Sequence, residues 1–202
     1  WSSECALPIL NIAALLSKKN TKSEKQELDF ATVQVPGVLP RLVQIPSEEE
    51  NAKCFILLEQ IIEKNIDKID RNGDGVIGYV LAIGDIGHND SIARTRGVRK
   101  ALGTAVDKNG EADSAPAGTN TDGKASQVQD GSIEVGGKTY VIRELASQEM
   151  KNSAGATWDA ATAGNAIGTW SSSFGDSIDV VVSNNDGMGM SMFNAWSKDN
   201  KV

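Results

Sequence analysis

The sequence is poor in the residues on which many metal, disulfide and nucleophile sites depend. Its 202 residues include two cysteines, Cys5 and Cys54, and a single histidine, His88. Two cysteines are too few for a disulfide scaffold or a zinc–cysteine site, and one histidine excludes every metal site that needs several. Long apolar runs are scarce too, and none approaches the roughly 20 residues of a transmembrane helix.

An excess of basic charge is also missing. The chain carries 27 acidic and 20 basic side chains, which gives a net charge of −7. Proteins that bind nucleic acid by neutralising phosphates normally have the opposite sign, so we expect no nucleic-acid partner. A hydrophobic fraction of 40% is ordinary for a folded globular chain, and the length suits one large domain or two small ones.

Beyond residue 70, short apolar runs alternate with helical patterns. The predicted strands lie at 76–83, 138–145 and 178–182, and the predicted helices at about 90–102, 159–172 and 188–198. This alternation is typical of right-handed βαβ units, so we predict an α/β fold with a parallel sheet flanked by helices. The polar stretch 107–137 is rich in glycine, serine, threonine and aspartate, and is expected to be a surface excursion or a flexible insertion.

The first part of the chain has a different pattern. Residues 7–16 form an apolar helical pattern that ends in a basic, polar stretch. Residues 30–45 are rich in valine and contain prolines, which predicts extended structure. Ser47 and Glu50 have the spacing of a capping box, and the apolar positions that follow them up to Ile66 predict a second helix.

The segment from Asp70 to Val76 has the spacing of oxygen ligands in a calcium-binding loop. The ligand positions hold the side chains of Asp70, Asn72 and Asp74 and the main-chain carbonyl of Val76. The last two positions of an EF-hand hold Gly78 and Leu81, and a predicted strand follows, so this is not an EF-hand. A calcium ion here needs a distant carboxylate to complete its shell, and a polar turn without a metal is the alternative.

Polar side chains also follow two of the predicted strands. His88, Asp90 and Arg94 come after the first strand, and Asn185 comes after the third. Ligands of open α/β sheets bind at the carboxyl ends of the strands, where Trp158 is also expected. An aromatic face, a carboxylate, a guanidinium and amides suit a sugar, because sugars stack on aromatics and offer vicinal hydroxyls. The alternatives are a helix cap for Asp90, a core position for Trp158 and ordinary surface ion pairing for the charged group.

Motifs of the common enzyme classes are lacking. The sequence contains no nucleophile elbow, no P-loop, no dinucleotide-binding fingerprint and no Cys-x-x-Cys. His88 and Asp90 suit a general base of a hydrolase, but no activated nucleophile accompanies them. We therefore expect a protein that is not an enzyme.

Three motifs in chain order carry a resemblance to a known family. They are Asp70-x-Asn-x-Asp-Gly, Gly-His88-x-Asp-x-x-x-Arg94, and Trp158-Asp followed by Asp179-Val-Val-Val-Ser-Asn-Asn185-Asp. With these motifs, residues from about 65 to 202 resemble the C-terminal lobe of periplasmic galactose/glucose-binding proteins, the receptors of sugar ABC importers. The resemblance implies that the pyranose contacts are His88, Asp90, Arg94, Trp158 and Asn185. It implies that the calcium ligands are Asp70, Asn72, Asp74, the carbonyl of Val76, and Asp179.

The resemblance also suggests an order of domains. Residues 1–46 are similar to the closing helix and strand of that family, which indicates a circular permutation, as in a glucose-binding lipoprotein of this type. Residues 47–202 are then a C-terminal-lobe-like sugar-binding domain with an insertion at about 107–137. The implied function is binding of D-glucose or D-galactose for an ABC permease in the inner membrane, with a chemoreceptor as a further partner. The implied location is the periplasm, with or without a lipid anchor; the alternative is a non-transport relative that acts in signalling or as a structural interaction protein.

Overall fold

A computed structural model describes residues 30–34, 41–44, 61–120 and 122–199. The predicted helix at 7–16, the capping box at Ser47 and Glu50, and both cysteines lie outside these residues. Within the described ranges, no helix combines the length and the hydropathy that a membrane crossing requires.

The described residues form a seven-stranded mixed sheet and a separate two-stranded pair. The strands are β1 (Phe30–Gln34), β2 (Arg41–Gln44), β3 (Val76–Ile83), β4 (Asp107–Lys108), β5 (Glu111–Ala112), β6 (Gly118–Thr119), β7 (Gly131–Val135), β8 (Lys138–Glu149) and β9 (Val180–Ser183). The order in the large sheet is β2-β1-β9-β3-β8-β6, with β7 also paired to β8, while β4 and β5 pair only with each other.

The centre of the sheet is parallel and its outer strands are antiparallel. β3 pairs in parallel with both β8 and β9, whereas β1 runs antiparallel to β9, and β6 and β7 run antiparallel to β8. The predicted α/β class is therefore confirmed, with a wholly parallel sheet replaced by a mixed one. For β7 and β8 the cause is their connection, because a two-residue turn such as Gly136-Gly137 joins antiparallel strands only.

Helices cover both faces of this sheet. They are α1 (Ile66–Ile69), α2 (Asn89–Ala101), α3 (Ala160–Phe174) and α4 (Asp186–Asp199), with a 3-10 turn at Gly175–Ser177 and helical residues at 61–64. Val98 of α2 packs in one apolar cluster with Leu81, and Ile167 of α3 and Met192 of α4 pack in the other with Val80. The predicted strands and helices after residue 70 are confirmed, with ends that differ by up to four residues.

Strand β3 shows why its sequence is a continuous apolar run. Tyr79, Leu81 and Ile83 face the cluster on the α2 side, and Val80 and Ala82 face the cluster on the α3–α4 side. Both faces are buried, so every position is apolar rather than every second one. This burial fixes the carboxyl end of β3, where the candidate site begins.

The polar stretch 107–137, which the sequence predicts to be a surface excursion or a flexible insertion, contains four short strands. β4 and β5 form a hairpin around Asn109 and Gly110, both with positive φ, and β6 and β7 extend the sheet beyond β8. Asn-Gly in a two-residue turn adopts this conformation readily, because glycine and asparagine tolerate the left-handed region. The Asn-Gly and Gly-Gly pairs were therefore signals of hairpins in this stretch.

Candidate functional site

The candidate site lies at the carboxyl ends of β3 and β9, where α2 and α4 begin. His88 is the residue before α2, and Asp186 is the first residue of α4. Because β3 and β9 are parallel neighbours, the loops that follow them open at the same edge of the sheet. The structure therefore brings together the two polar segments that the sequence placed after separate strands.

Arg94 and Asn184 join α2 to the end of β9. The Arg94 guanidinium is buried and donates from Nη1 to the main-chain carbonyl of Asn184 at 2.6 Å. The Asn184 side-chain amide donates to Ser91 Oγ at 2.9 Å and to Thr95 Oγ1 at 3.1 Å. These bonds fix the rotation of α2 against β9 and so fix the position of Arg94. Sequence reasoning singled out Asn185 and missed Asn184, whose only signal was its place directly after a buried strand.

Trp158 lies at the same edge of the sheet, against Gly84 at the end of β3. Its backbone has a φ of 59°, and its ring lies so close to Gly84 that a Cβ atom there would overlap the indole. The Arg94 Cζ lies 5.7 Å from the centroid of the indole ring, and the His88 ring meets it edge-on at 5.8 Å. The expected grouping of His88, Arg94 and Trp158 is thus present in the structure, with Trp158 partly buried.

His88 and Asp90 are exposed at the rim. The Asp90 N–H donates to His88 Nδ1 at 3.3 Å, so His88 is the residue that caps α2. The alternative in which Asp90 is the helix cap was therefore wrong. The His88 Nδ1 and Asp90 Oδ2 atoms are 4.0 Å apart. On the other side, Asn185 Oδ1 accepts from the Met188 N–H at 2.9 Å and caps α4. The carboxylate of Asp90 is left at the rim, where it can meet a ligand.

The predicted calcium loop is folded by hydrogen bonds from its own backbone. Asp70 Oδ2 accepts from the Gly75 N–H at 3.2 Å, and Asp74 Oδ1 accepts from the Val76 N–H at 2.7 Å. Asn72 Oδ1 accepts from the Asp74 N–H at 3.1 Å. This arrangement is the polar turn that the sequence left open as the alternative.

Asp179 lies under this loop in a buried position. Its Oδ2 accepts from the Gly78 N–H at 2.9 Å, while its Oδ1 and Asp70 Oδ1 are buried without a hydrogen-bond partner among the described residues. Burial, together with the nearby negative charges of Asp74 and Asp70, raises the pKa of Asp179 to about 7. Across the described ranges, no three His, Cys, Asp or Glu side chains are grouped to hold a metal ion, so a cation here also depends on Asn72 and the Val76 carbonyl.

Similarity to known proteins lies mainly before this site in the chain. The middle domain of polyphosphate kinase matches residues 8–76, about a third of the 202 residues. A polyphosphate kinase of Exiguobacterium sibiricum is 40% identical over 60 residues, which are 30% of this chain and 8% of that relative. The match includes the calcium-like loop, whereas His88, Arg94, Trp158 and Asn185 lie beyond it.

These matches correct the functional predictions made from the sequence. The resemblance to galactose/glucose-binding proteins was wrong, and so were the sugar-import function, its signalling or structural alternative, the monosaccharide and permease partners, and the expectation that the chain is not an enzyme. The physical reason is that polar and aromatic groups at the strand ends of an α/β sheet are common to many ligand classes. The periplasmic location, the lipid anchor and the permuted domain order stay predictions.

Proposed function

We propose that this chain takes part in phosphoryl transfer between polyphosphate and a nucleotide, as a phosphotransferase or a part of one. The observation that carries the proposal is the match of residues 8–76 to the middle domain of polyphosphate kinase. The proposed reaction moves the terminal phosphoryl group of polyphosphate to a nucleoside diphosphate, or the reverse. Each transfer shortens or lengthens the polyphosphate by one phosphate and interconverts the diphosphate and the triphosphate.

The matched segment is part of the same sheet as the candidate site. Strand β1 pairs with β9, with Thr32 opposite Ser183, directly beside the strand end that carries Asn184. At the other end of the match, Ile62 and Ile69 are buried in the cluster that contains Tyr79 of β3. The segment that is similar to polyphosphate kinase therefore belongs to the same folded unit as the candidate site.

The candidate site offers groups suited to a nucleotide. The N-termini of α2 and α4 open at this edge, and helix N-termini favour phosphate oxygens. Arginine binds phosphate through paired N–H donors, and an indole face stacks on a nucleobase; Arg94 and Trp158 lie together here. The carboxylate of Asp90 is placed at the rim, where it can accept from ribose hydroxyls.

Acidic side chains at the same edge affect whether the nucleotide binds alone or as its magnesium complex. Asp90 and Asp186 stand in the first turns of the two helices, and the chain has a net charge of −7. A bare triphosphate or polyphosphate is repelled by such charges, whereas its magnesium complex carries less negative charge. We therefore expect the magnesium complex of the nucleotide to be the bound species.

The test is synthesis of ATP from ADP and polyphosphate in the presence of magnesium, followed with a luminescent ATP assay. The variants Arg94→Met and Trp158→Ala are compared with the control Arg96→Met. Arg96 lies in the same helix as Arg94, but its guanidinium pairs with Glu111 and not with a residue of the candidate site. We expect ATP formation by the wild-type chain and by Arg96→Met, and at least a tenfold loss in the other two variants, since about 1.4 kcal/mol corresponds to a factor of ten. Circular dichroism verifies that each variant is folded. ATP formation that Arg94→Met and Trp158→Ala leave unchanged would place the reaction elsewhere, and no ATP formation by the folded wild-type chain would contradict the proposal.

A second proposal concerns calcium. We propose that the loop from Asp70 to Val76 holds a calcium ion together with Asp179. Two observations favour it: Asp70 Oδ1 and Asp179 Oδ1 are buried without hydrogen-bond partners among the described residues, and both are carboxylate oxygens, the ligands that calcium prefers. Calcium should therefore stabilise the wild-type chain against heat, and Asp179→Asn should remove that effect.

A further inference from the structure

We propose that the buried ion pair of Arg99 and Glu144 is a latch that holds the segment 105–131 against the sheet, and that this segment opens as a unit when the pair is broken. The segment contains the hairpin of β4 and β5, the short strand β6 and the approach to β7. The proposal is independent of the reaction proposed above.

Arg99 connects the segment to the sheet through all of its donors. From α2 it donates to Glu144 through Nε at 2.8 Å and through Nη2 at 2.7 Å, and Nη2 also donates to Ser147 Oγ at 3.2 Å. Its Nη1 donates to the main-chain carbonyls of Asp113 and Ala115, each at 2.9 Å. A guanidinium has five N–H groups, and these five bonds use them all. One side chain thus joins α2, β8 and the excursion.

The partner carboxylate is equally well satisfied. Arg99 and Glu144 are both fully buried, and Glu144 Oε2 also accepts from the Tyr79 hydroxyl at 2.8 Å. The Tyr79 hydroxyl and Thr104 Oγ1 are 2.7 Å apart, which extends the network to the residue before the segment. A buried pair of this kind is tolerated because each charge is compensated, and removal of one partner leaves the other charge buried and unpaired.

A β-bulge directs two residues of β8 toward Arg99. Tyr79 lies opposite Glu144 and Val80 lies opposite Ala146, so Leu145 is the additional residue in β8. In a regular strand, Glu144 and Ser147 would point to opposite faces, because side chains alternate. With the bulge, both reach Arg99 on the α2 side, and Ser147 Oγ accepts from the Ala117 N–H at 2.8 Å.

Polar contacts dominate the attachment of the segment. Asn120 donates from its backbone N–H to the Leu145 carbonyl at 2.7 Å, and from Nδ2 to the Glu144 carbonyl at 3.0 Å. Within the described part of the segment, Ala112 and Val128 are the buried hydrophobic residues. Little apolar area therefore holds the segment, and such regions open locally at lower free energy than the core.

The latch lies on the strand that borders the candidate site. Two residues beyond Ser147, the Glu149 carboxylate accepts from the Ile86 N–H at 3.0 Å, in the loop that leads to His88. Release of the segment therefore uncovers the edge of β8 next to this loop. The position of the segment 105–131 thus depends on the buried ion pair of Arg99 and Glu144.

Hydrogen exchange measured by mass spectrometry tests this inference on the full chain. Glu144→Gln keeps the shape of the side chain and removes its charge. The control is Arg143→Gln, the neighbouring residue, whose ion pair with Asp130 also reaches the segment but is partly exposed, at 23% and 34% for the two side chains. We expect Glu144→Gln to speed exchange in 105–131 by at least tenfold while β3 and β9 change less than threefold. Arg143→Gln should change the segment less than threefold, because an ion pair in contact with solvent leaves a smaller penalty when it is broken than a fully buried one.

A measurement on the wild-type chain covers the case in which Glu144→Gln does not fold. At low urea concentrations, the amides of 105–131 are expected to exchange together through an opening that leaves β3 and β9 protected. Exchange of the segment only in step with β3 and β9 would overturn the proposal. Equal effects of Glu144→Gln and Arg143→Gln on the segment would overturn it as well.

Discussion

The Arg94 guanidinium carbon lies 5.7 Å from the centroid of the Trp158 ring, and the Arg94 Nη1 donates to the Asn184 carbonyl at 2.6 Å. An indole and a guanidinium at this distance attract each other through the charge of the cation and the electron-rich ring face. Arg94 lies in α2, whereas Trp158 lies in the loop that precedes α3. Their relative position is therefore a property of the fold and can be changed by residues that touch neither ligand nor solvent.

The first prediction concerns Gly84, over which the Trp158 ring packs. Gly84→Ala would place a Cβ atom inside the indole, so the ring must move, and we expect a loss of stability of about 2 kcal/mol together with weaker ligand binding. Urea denaturation measures the first effect and titration of MgATP the second. Gly168→Ala in α3 is the control, since a Cβ there meets nothing within 4 Å, and it should be neutral or slightly stabilising. Wild-type stability for Gly84→Ala would show that Trp158 does not rest on this glycine.

The second prediction concerns Asn184 as a positioning residue. Asn184→Ala removes the hydrogen bonds to Ser91 and Thr95 and leaves their oxygen atoms buried, which should cost about 2 kcal/mol. Because α2 is then less well fixed, we expect the KM for MgADP to rise several-fold while the exposed-residue control Asn165→Ala leaves it unchanged. An unchanged KM in a destabilised Asn184→Ala chain would limit this residue to a structural role.

The third prediction is a pH dependence that arises from Asp179. Its pKa is about 7 in the folded chain and 3.8 in the unfolded reference, so the folded state binds the extra proton. In the absence of calcium, stability should therefore fall as the pH rises from about 4 and level off above about 7. Asp179→Asn keeps an acceptor for the Gly78 N–H and removes the charge, so it should be more stable than wild type at pH 8 and similar at pH 4.

Urea denaturation at several pH values in EDTA measures this difference. Asp176→Asn, an exposed neighbour, provides the control and should follow the wild-type curve. Parallel curves for the wild-type chain and Asp179→Asn would contradict the assignment of the pH dependence to Asp179.

The fourth prediction tests the proposed calcium site. A ligand that binds only the folded chain at 100 times its dissociation constant adds about 2.7 kcal/mol of stability. Millimolar calcium should therefore raise the melting temperature by about 5 °C or more relative to EDTA, and Asp179→Asn should abolish the rise. Equal melting temperatures in calcium and EDTA for the wild-type chain would exclude the site.

The strands and helices after residue 70 could be predicted because their patterns depend on local burial. β3 is a continuous apolar run since both of its faces are covered, and α2 begins at a polar residue that caps it. The bulge at Leu145 and the pair of Arg99 and Glu144 could not be predicted, because they depend on strand register and on packing between distant segments. A single acidic residue inside the predicted strand at 138–145 was the one sign that Glu144 had a buried partner.

The sequence indicates where three of the candidate residues lie, but not which class of ligand they bind. The grouping of His88, Arg94 and Trp158 follows from their place after parallel strands, and the structure brings them together. Their chemistry does not separate ligand classes, since an indole, a guanidinium and a carboxylate suit a sugar, a nucleoside or a phosphate ester alike. The proposed nucleotide ligand therefore depends on the similarity to polyphosphate kinase and not on the geometry of the site.

Isothermal titration of the full chain tests the central claim most directly. MgATP, MgADP and polyphosphate are titrated separately, with D-glucose and D-galactose as comparison ligands of a different class. We expect saturable binding of a magnesium nucleotide that is weakened at least tenfold in Arg94→Met, and no heat from either sugar. Saturable binding of a sugar, with no binding of either nucleotide or of polyphosphate, would contradict the proposed function.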